Sequence, residues 1–357
     1  MLETSSLHDL AARTIRRMIE LQTDASQQQC PIDIVAFDSW EWPQGVGLYG
    51  LFKRYEQSGD ASLLDYMKGW YERRMGAGLP ERNVNTTAPM LCLAHLCEAT
   101  GNAQWLGICD DWAEWVMHGM ARTADGGIQH DTTGHSNAGQ IWADTLYMTV
   151  LFLAKMGMLR RRADYVEEAV QQFLIHIKYL FDRGTGLWFH GWTFANRTNF
   201  ANARWARGNC WFTAGVVDFL EMVNPPAGTR GYLISTLRAQ AEALERNQAR
   251  GGLWHTLLDD PGSYEEASAT AGFGYGILKG VRMGYLPARF RECGRRALEA
   301  VVRNITPDGT LRNVSFGTPM GLDLDHYRKI PVCPMPYGQA LAVLLLGEAL
   351  RGISSSS

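Results

Sequence analysis

The chain of 357 residues has no uninterrupted apolar stretch of about 18 residues, so no membrane span is expected. Its first residues, MLETSSLHDLAARTIRRMIELQ, lack a basic leader followed by an apolar run, and the expectation is a cytoplasmic protein without a secretory signal. Charge of one sign is also missing. Lys and Arg number 34 against 37 Asp and Glu, a net charge of -3 that gives no field to attract nucleic acid or an anionic membrane. The seven cysteines (Cys30, Cys92, Cys97, Cys109, Cys210, Cys293, Cys333) are odd in number and scattered, which reads as reduced thiols rather than a disulfide framework. There is no P-loop and no Gly-x-Ser-x-Gly elbow. The run GFGYG at Gly272–Gly276 follows no strand, so it predicts close helix packing rather than a dinucleotide loop. Cys92, His95 and Cys97 cannot share one helix face, and His130 and His135 have no third ligand nearby. No metal and no cofactor are expected.

Strand-like alternation is scarce too, and what fills the chain is helix after helix of two kinds. One kind is apolar all round and rich in small residues, beginning near Pro43, Thr86, Ile141, Gly208, Ser268 and Pro336. The other is amphipathic, over Leu7–Leu21, Ala61–Arg74, Ala103–Met117, Ala163–Tyr179, Gly231–Arg246 and Ala288–Val302. Apolar starts recur every 40 to 70 residues or so, a spacing typical of internal structural repeats. Six buried and six half-exposed helices predict an all-α (α/α)6 barrel. With no dividing linker, residues 1–351 form one domain and 352–357, ending in SSSS, a flexible tail.

The segments before the buried helices are rich in aromatic and polar groups. If those helices run parallel, the segments meet at one end, where free helix N–H groups favour an anionic ligand. The sharpest feature there is Asp144 in QIWADTLYMTVLFLA (Gln140–Ala154), an acid near the start of an otherwise apolar helix. It is either a buried Asp that caps or pairs, or a general acid; apolar surroundings raise its pKa while a helix N-terminus lowers it. In WARGNCW, Arg207 and Trp211 stand four apart on one helix face, suited to a carboxylate and a sugar ring, or equally to packing. His190 lies among rings in LWFHGW just upstream.

Together GGIQH (Gly126–His130), QIWADTLYMTVLFLAKMG (Gln140–Gly157), LWFHGW, WARGNCW and SYEEASATAGFGYGILKG (Ser263–Gly280) resemble glycoside hydrolase family 105, the unsaturated rhamnogalacturonyl hydrolases, and the related family 88 unsaturated glucuronyl hydrolases. The resemblance runs from about Trp40 to Arg351. It implies the same (α/α)6 barrel and a substrate left by polysaccharide lyases, an oligosaccharide with a 4,5-unsaturated uronic acid at its non-reducing end. It also implies hydration of the C4=C5 bond: an Asp protonates C4, water adds at C5, and the resulting hemiketal opens.

Matched motif by motif, Asp144 takes the general acid/base position. Trp42, His130, Trp142, His190, Arg207 and Trp211 fall in the sugar-binding set, joined by Glu266 and Ser268 from a shared motif. One position departs. The family has a second Asp in an Asn-x-Asp segment, and here the segment is Asn83-Val84-Asn85. Asn85 is then a substrate-binding amide that can hydrogen-bond but cannot act as a base. The rival readings are a sugar epimerase on the same barrel, which would need His130 and His190 as acid and base, and a non-catalytic carbohydrate-binding protein.

Overall fold

The computed structural model describes residues 4–23 and 33–354. Thirteen helices follow in order: α1 (Thr4–Ile19), α2 (Trp42–Ser58), α3 (Ala61–Gly76), α4 (Val84–Thr100), α5 (Ala103–His118), α6 (Leu151–Arg160), α7 (Ala163–Leu180), α8 (Ala206–Met222), α9 (Ala227–Asn247), α10 (Ala267–Arg282), α11 (Arg291–Asn304), the short α12 (Leu324–Arg328) and α13 (Pro336–Ser354). Helices α2, α4, α6, α8, α10 and α13 each pack on the next, and α13 packs back on α2, which closes an inner ring. Helices α1, α3, α5, α7, α9 and α11 lie against that ring from outside. This is the expected helical barrel.

The two helix kinds behave as their patterns require. In α4 every residue from Thr86 to Cys97 is buried, whereas α11 buries mainly the face carrying Cys293, Ala297, Ala300 and Val301. α4 tolerates Pro89 in its interior, and its start is a capping box between Asn83 and Thr86. The far end of the ring is held by charge: Lys279 reaches Asp218 at 2.5 Å and Glu221 at 2.6 Å, with all but Glu221 buried. Charges this deep persist because they are paired. Among the described residues, no helix is long and apolar enough to cross a membrane.

Glycine sets the closest helix approaches. A Cβ on Gly276 would meet the carbonyl of Thr213, so α10 lies directly on the backbone of α8. Gly272 and Gly274 likewise face Cys210 and Leu345, so GFGYG is a packing motif. Gly276→Ala is expected to cost on the order of 1 to 3 kcal/mol, since backbone rather than a mobile side chain must move. Urea unfolding would check this; an unchanged midpoint would contradict the packing account.

Two departures matter. Residues Gln140–Trp142 form a strand, β1, not the first turn of a helix. It pairs antiparallel with β2 (Gly191–Thr193), and the Ala143 N–H extends the pairing to the His190 carbonyl at 2.9 Å. Asp144 therefore sits in a turn, and the helix begins after it, with a wide π-type turn over Leu146–Val150 before α6. Backbone groups engaged in a strand cannot also make helical bonds, which is why the helix starts later than its apolar pattern. Such π segments frequently accompany functional sites. The second departure is at the C-terminus: α13 runs to Ser354, past the boundary expected at 351, and residues 355–357 of the expected tail lie outside the described residues. Cys92, Cys97, Cys109, Cys210 and Cys293 are free thiols, all buried, and Cys30 lies outside the described residues.

Candidate active site

The inner helices all begin at one end, and their first turns bring the site together. Trp42 opens α2, Asn85 lies in the first turn of α4, Asp144 precedes α6, Arg207 is in the first turn of α8, Glu266 caps α10, and Tyr337 begins α13. A second small sheet, β3 (Trp254–His255) with β4 (Glu265–Glu266), braces the α10 side.

Asp144 is the centre. Its side chain is 17% exposed, and it receives the Trp211 indole N–H on Oδ1 at 3.0 Å. Its Oδ2 faces His190 Nε2 at 3.2 Å. The ring's far nitrogen, Nδ1, is 2.8 Å from the Tyr327 hydroxyl, whose oxygen takes the Gly321 N–H at 3.0 Å. The Tyr327 hydroxyl has two acceptors in reach, this ring nitrogen and Met320 Sδ at 3.2 Å, so the relay is compatible with either tautomer of His190. Burial pushes the Asp144 carboxyl up, but His190, His130 and Arg207 outweigh it and hold the group below the usual carboxylate range. Free Asp144 is thus ionised at neutral pH, the opposite of what its apolar segment suggests.

Rings surround it. Trp142 stacks on His130 with centroids 4.1 Å apart and lies 5.6 Å from His190. Trp42 stands edge-on to Trp211 at 6.1 Å and stacks on Tyr337 at 4.6 Å. Of the sequence-predicted residues, Asp144, Trp42, His130, Trp142, His190 and Trp211 thus form one contiguous cluster.

Arg207 lies behind this cluster. It is 1% exposed and donates to the Ser315 hydroxyl, to the Ser315 carbonyl at 2.8 Å, to Tyr337 at 2.9 Å and to the Phe316 carbonyl at 3.0 Å. Its plane rests 4.3 Å from Trp205. Its guanidinium is therefore engaged with the protein, and it reaches Asp144 as a field. Glu266 and Ser268, expected to touch substrate, are fully buried. Glu266 takes the Ser268 hydroxyl at 2.6 Å, the Ala269 N–H at 2.6 Å and the Ser315 N–H at 2.9 Å. It fixes the segment at Ser315 to which Arg207 donates, because a buried carboxylate needs several donors and these are the ones in reach. His135 is exposed whereas His130 is buried and bonded to Thr145 at 2.8 Å, so the two histidines do not converge.

Three participants carry no sequence signal that singles them out. Tyr327 sits on the short α12, 183 positions from Asp144, in a segment without a motif. Tyr337 follows a proline in an apolar run. Glu41 lies inside a segment that stands out for its aromatics; the Glu-Trp-Pro order, an acceptor just before a proline-marked helix start, is the available clue.

Burial presses His130 down to about 3 and His176 to about 4, and lowers His190. Unfolded histidines titrate near 6.5. The folded values lie below that, so the unfolded chain takes up protons that the folded chain refuses, and stability falls as pH drops from about 6.5 toward 4. His130→Asn should flatten this dependence by up to one proton, about 1.4 kcal/mol per pH unit. Urea midpoints at pH 7, 6 and 5 measure it, and parallel slopes for the two proteins would contradict the assignment.

Comparison with known proteins agrees with this architecture. The family model of Glycosyl Hydrolase Family 88 matches residues 14–353. Among curated proteins, the chain is 30% identical over 316 residues to the unsaturated rhamnogalacturonyl hydrolase YesR of Bacillus subtilis, covering 88% of this chain and 90% of that one. Among solved structures, a possible member of the GH105 family from Klebsiella pneumoniae superposes with a TM-score of 0.96 at 48% identity, covering 99% of this chain and 95% of the other. A possible GH105 member from Salmonella enterica gives a TM-score of 0.97 at 46% identity, covering 99% and 96%.

Proposed function

The chain belongs to Glycosyl Hydrolase Family 88, and on that premise we propose that it releases 4,5-unsaturated uronic acid from the non-reducing end of lyase-generated oligosaccharides, with Asp144 as the general acid/base. The observation that carries the reading is Asp144 itself. It is a partly exposed carboxylate at the helix-N-terminal mouth of the barrel, gripped by Trp211 and His190 and surrounded by indole faces.

Indole faces suit sugar rings, and the helix N-termini suit the uronate carboxylate, with the buried Arg207 adding positive potential from behind. Hydration of the enol ether needs a proton at C4 and a hydroxyl at C5. One carboxyl group serves both, giving its proton to C4 and receiving one from the water that adds at C5. Free Asp144 is ionised, so the proton must be taken up on binding. The entering uronate carboxylate supplies the cause, because a second negative charge raises the pKa of the first. The relative YesR, named as an unsaturated rhamnogalacturonyl hydrolase, makes a rhamnose-linked unsaturated uronide the first substrate to try.

The epimerase alternative loses support. Burial holds His130 near 3, far from the range in which a histidine acts as acid and base at neutral pH, and it lowers His190 as well. The test is a panel of unsaturated disaccharides from different polysaccharide lyases, followed by ultraviolet absorbance of the C4=C5 bond. Loss of absorbance on at least one supports the reading. No loss on any member of the panel overturns it.

A further inference from the structure

His130 runs along the strand that carries the proposed acid. Its N–H donates to the Gln140 carbonyl at 3.0 Å, at the start of β1. Its ring lies flat on Trp142, with centroids 4.1 Å apart and planes 17° from parallel. Its Nδ1 then meets the Thr145 hydroxyl in a hydrogen bond of 2.8 Å. One residue thus holds β1 at its start and its end, and holds the position just past Asp144. The Asn137 side-chain amide donates to the His130 carbonyl at 2.7 Å, so the clamp is itself fixed. His130 is 2% exposed and Thr145 fully buried, so bulk water cannot replace either partner. Burial keeps the ring neutral, so the bond does not come and go with protonation near neutral pH. Asp144 therefore has an anchor on each side: the Ala143 N–H on the His190 carbonyl at 2.9 Å, and the Thr145 hydroxyl on His130. Beyond it the chain enters the π-type turn at once, and the Asp144 carbonyl takes the N–H groups of both Tyr147 and Met148 at 3.0 Å. A π turn is uncommon, and its relaxation to an α turn shifts the residues before it by one position, about 100° around the helix axis. Such a shift would carry the Asp144 carboxyl away from Trp211 and His190.

We infer that Thr145 and His130 are positioning residues whose hydrogen bond pins the chain just past Asp144, so that the carboxyl stays aimed at Trp211, His190 and the sugar. This rests on the function proposed above, which gives Asp144 its role. It also gives His130 a task inside the protein, in place of the sugar contact that its motif implies. Of the two anchors beside Asp144, one is a backbone bond that no substitution removes. The other is a single side-chain bond, and it can be deleted with little change of shape.

The test uses Thr145→Val, which keeps the shape and removes the hydroxyl, Thr145→Ser, which keeps the hydroxyl, and His130→Phe, which keeps a ring on Trp142. Thr145→Val should lower kcat on an unsaturated uronyl disaccharide about tenfold, the worth of one hydrogen bond, with KM changed less than about threefold. Thr145→Ser should recover most of the loss. The double variant Thr145→Val with His130→Phe should have a kcat no lower than that of the slower single variant, because both substitutions remove the same bond. Without substrate, the Trp211 indole N–H resonance, identified by its loss in Trp211→Phe, reports the contact with Asp144. It should move in Thr145→Val and stay in place in Thr145→Ser. Losses in kcat that multiply in the double variant would give the two residues separate roles and overturn the inference. A rise in KM in place of the loss in kcat would return the pair to the sugar, with the same consequence. Wild-type kcat in Thr145→Val, or an indole resonance that does not move, would make Thr145 a packing residue only and overturn it as well. If the wild type turns over no unsaturated uronide, the function proposed above fails, while the indole resonance still decides whether Thr145 positions Asp144.

Discussion

Asp144→Asn should lower kcat on an unsaturated uronyl disaccharide by about a thousandfold, within the usual span for loss of a general acid/base, and leave the barrel folded. Asn keeps an oxygen for the Trp211 indole N–H. Its NH2 replaces the oxygen that faces His190 Nε2 at 3.2 Å, so an acceptor there becomes a donor. The chemistry loses its proton carrier while the packing changes by one atom. A companion result follows from the ionised free state. The folded pKa of Asp144 is depressed, so the stability it contributes is complete above its unfolded value near 3.9 and is lost as pH falls through the folded value. For activity the sign is reversed, since in the proposed reaction the protonated form donates. The profile of kcat/KM reports the free enzyme and that of kcat the complex. The descending limb of kcat should therefore lie at higher pH than that of kcat/KM, because bound uronate raises the Asp144 pKa. Coincident limbs would contradict proton uptake on binding, and an Asp144→Asn protein with most of its activity would remove Asp144 from the mechanism.

Arg207→Met should destabilise the protein by about 3 to 5 kcal/mol, because it removes a donor shared by two carbonyls and two hydroxyls, at roughly 1 to 3 kcal/mol for each group truly orphaned. The acceptors are those of Ser315, Phe316 and Tyr337; Ser315 and Tyr337 are buried, and the Ser315 carbonyl keeps the Tyr337 hydroxyl as a second donor. Arg207→Lys should recover little. A single ammonium cannot reproduce a fork that reaches four acceptors while lying flat on Trp205. Residual activity should also shift, since Arg207 is one of the charges that keep the Asp144 carboxyl low. Urea unfolding read by tryptophan fluorescence measures the first effect. A loss below about 1 kcal/mol would mean that the guanidinium carries far less of the mouth than its bonds indicate.

Much of this is legible without coordinates. All-round apolar segments have to be buried, amphipathic ones have to lie half out, and six of each have few arrangements besides a closed double ring. The aromatic and charged residues before each inner helix place the site at one end. Helical spacing alone ties Arg207 to Trp211, and in the fold Trp211 bonds Asp144 while Arg207 lies 5.9 Å from the Trp42 ring. What escapes the sequence is of another kind. Its local pattern sets apolar neighbours that raise the pKa of Asp144 against a helix N-terminus that lowers it, and does not choose between them. The state of that acid is instead set by His190, 46 positions on, and by Arg207, 63 positions on. The motif around Glu266 and Ser268 suggests substrate contacts, but the pair is consumed by Ser315, a partner that no local pattern names.

The sequence by itself determined which segments are helical, which of them lie inside, and where the chemistry gathers, because these follow from periodicity and from the cost of exposing apolar surface. The tertiary structure alone decided the charge on Asp144, the burial of Arg207 and the pairing of Glu266 with Ser315. Each of those depends on Coulomb and hydrogen-bond terms that change over a few ångströms, and those distances exist only once strands β1 and β2 have paired and the six helix starts have met.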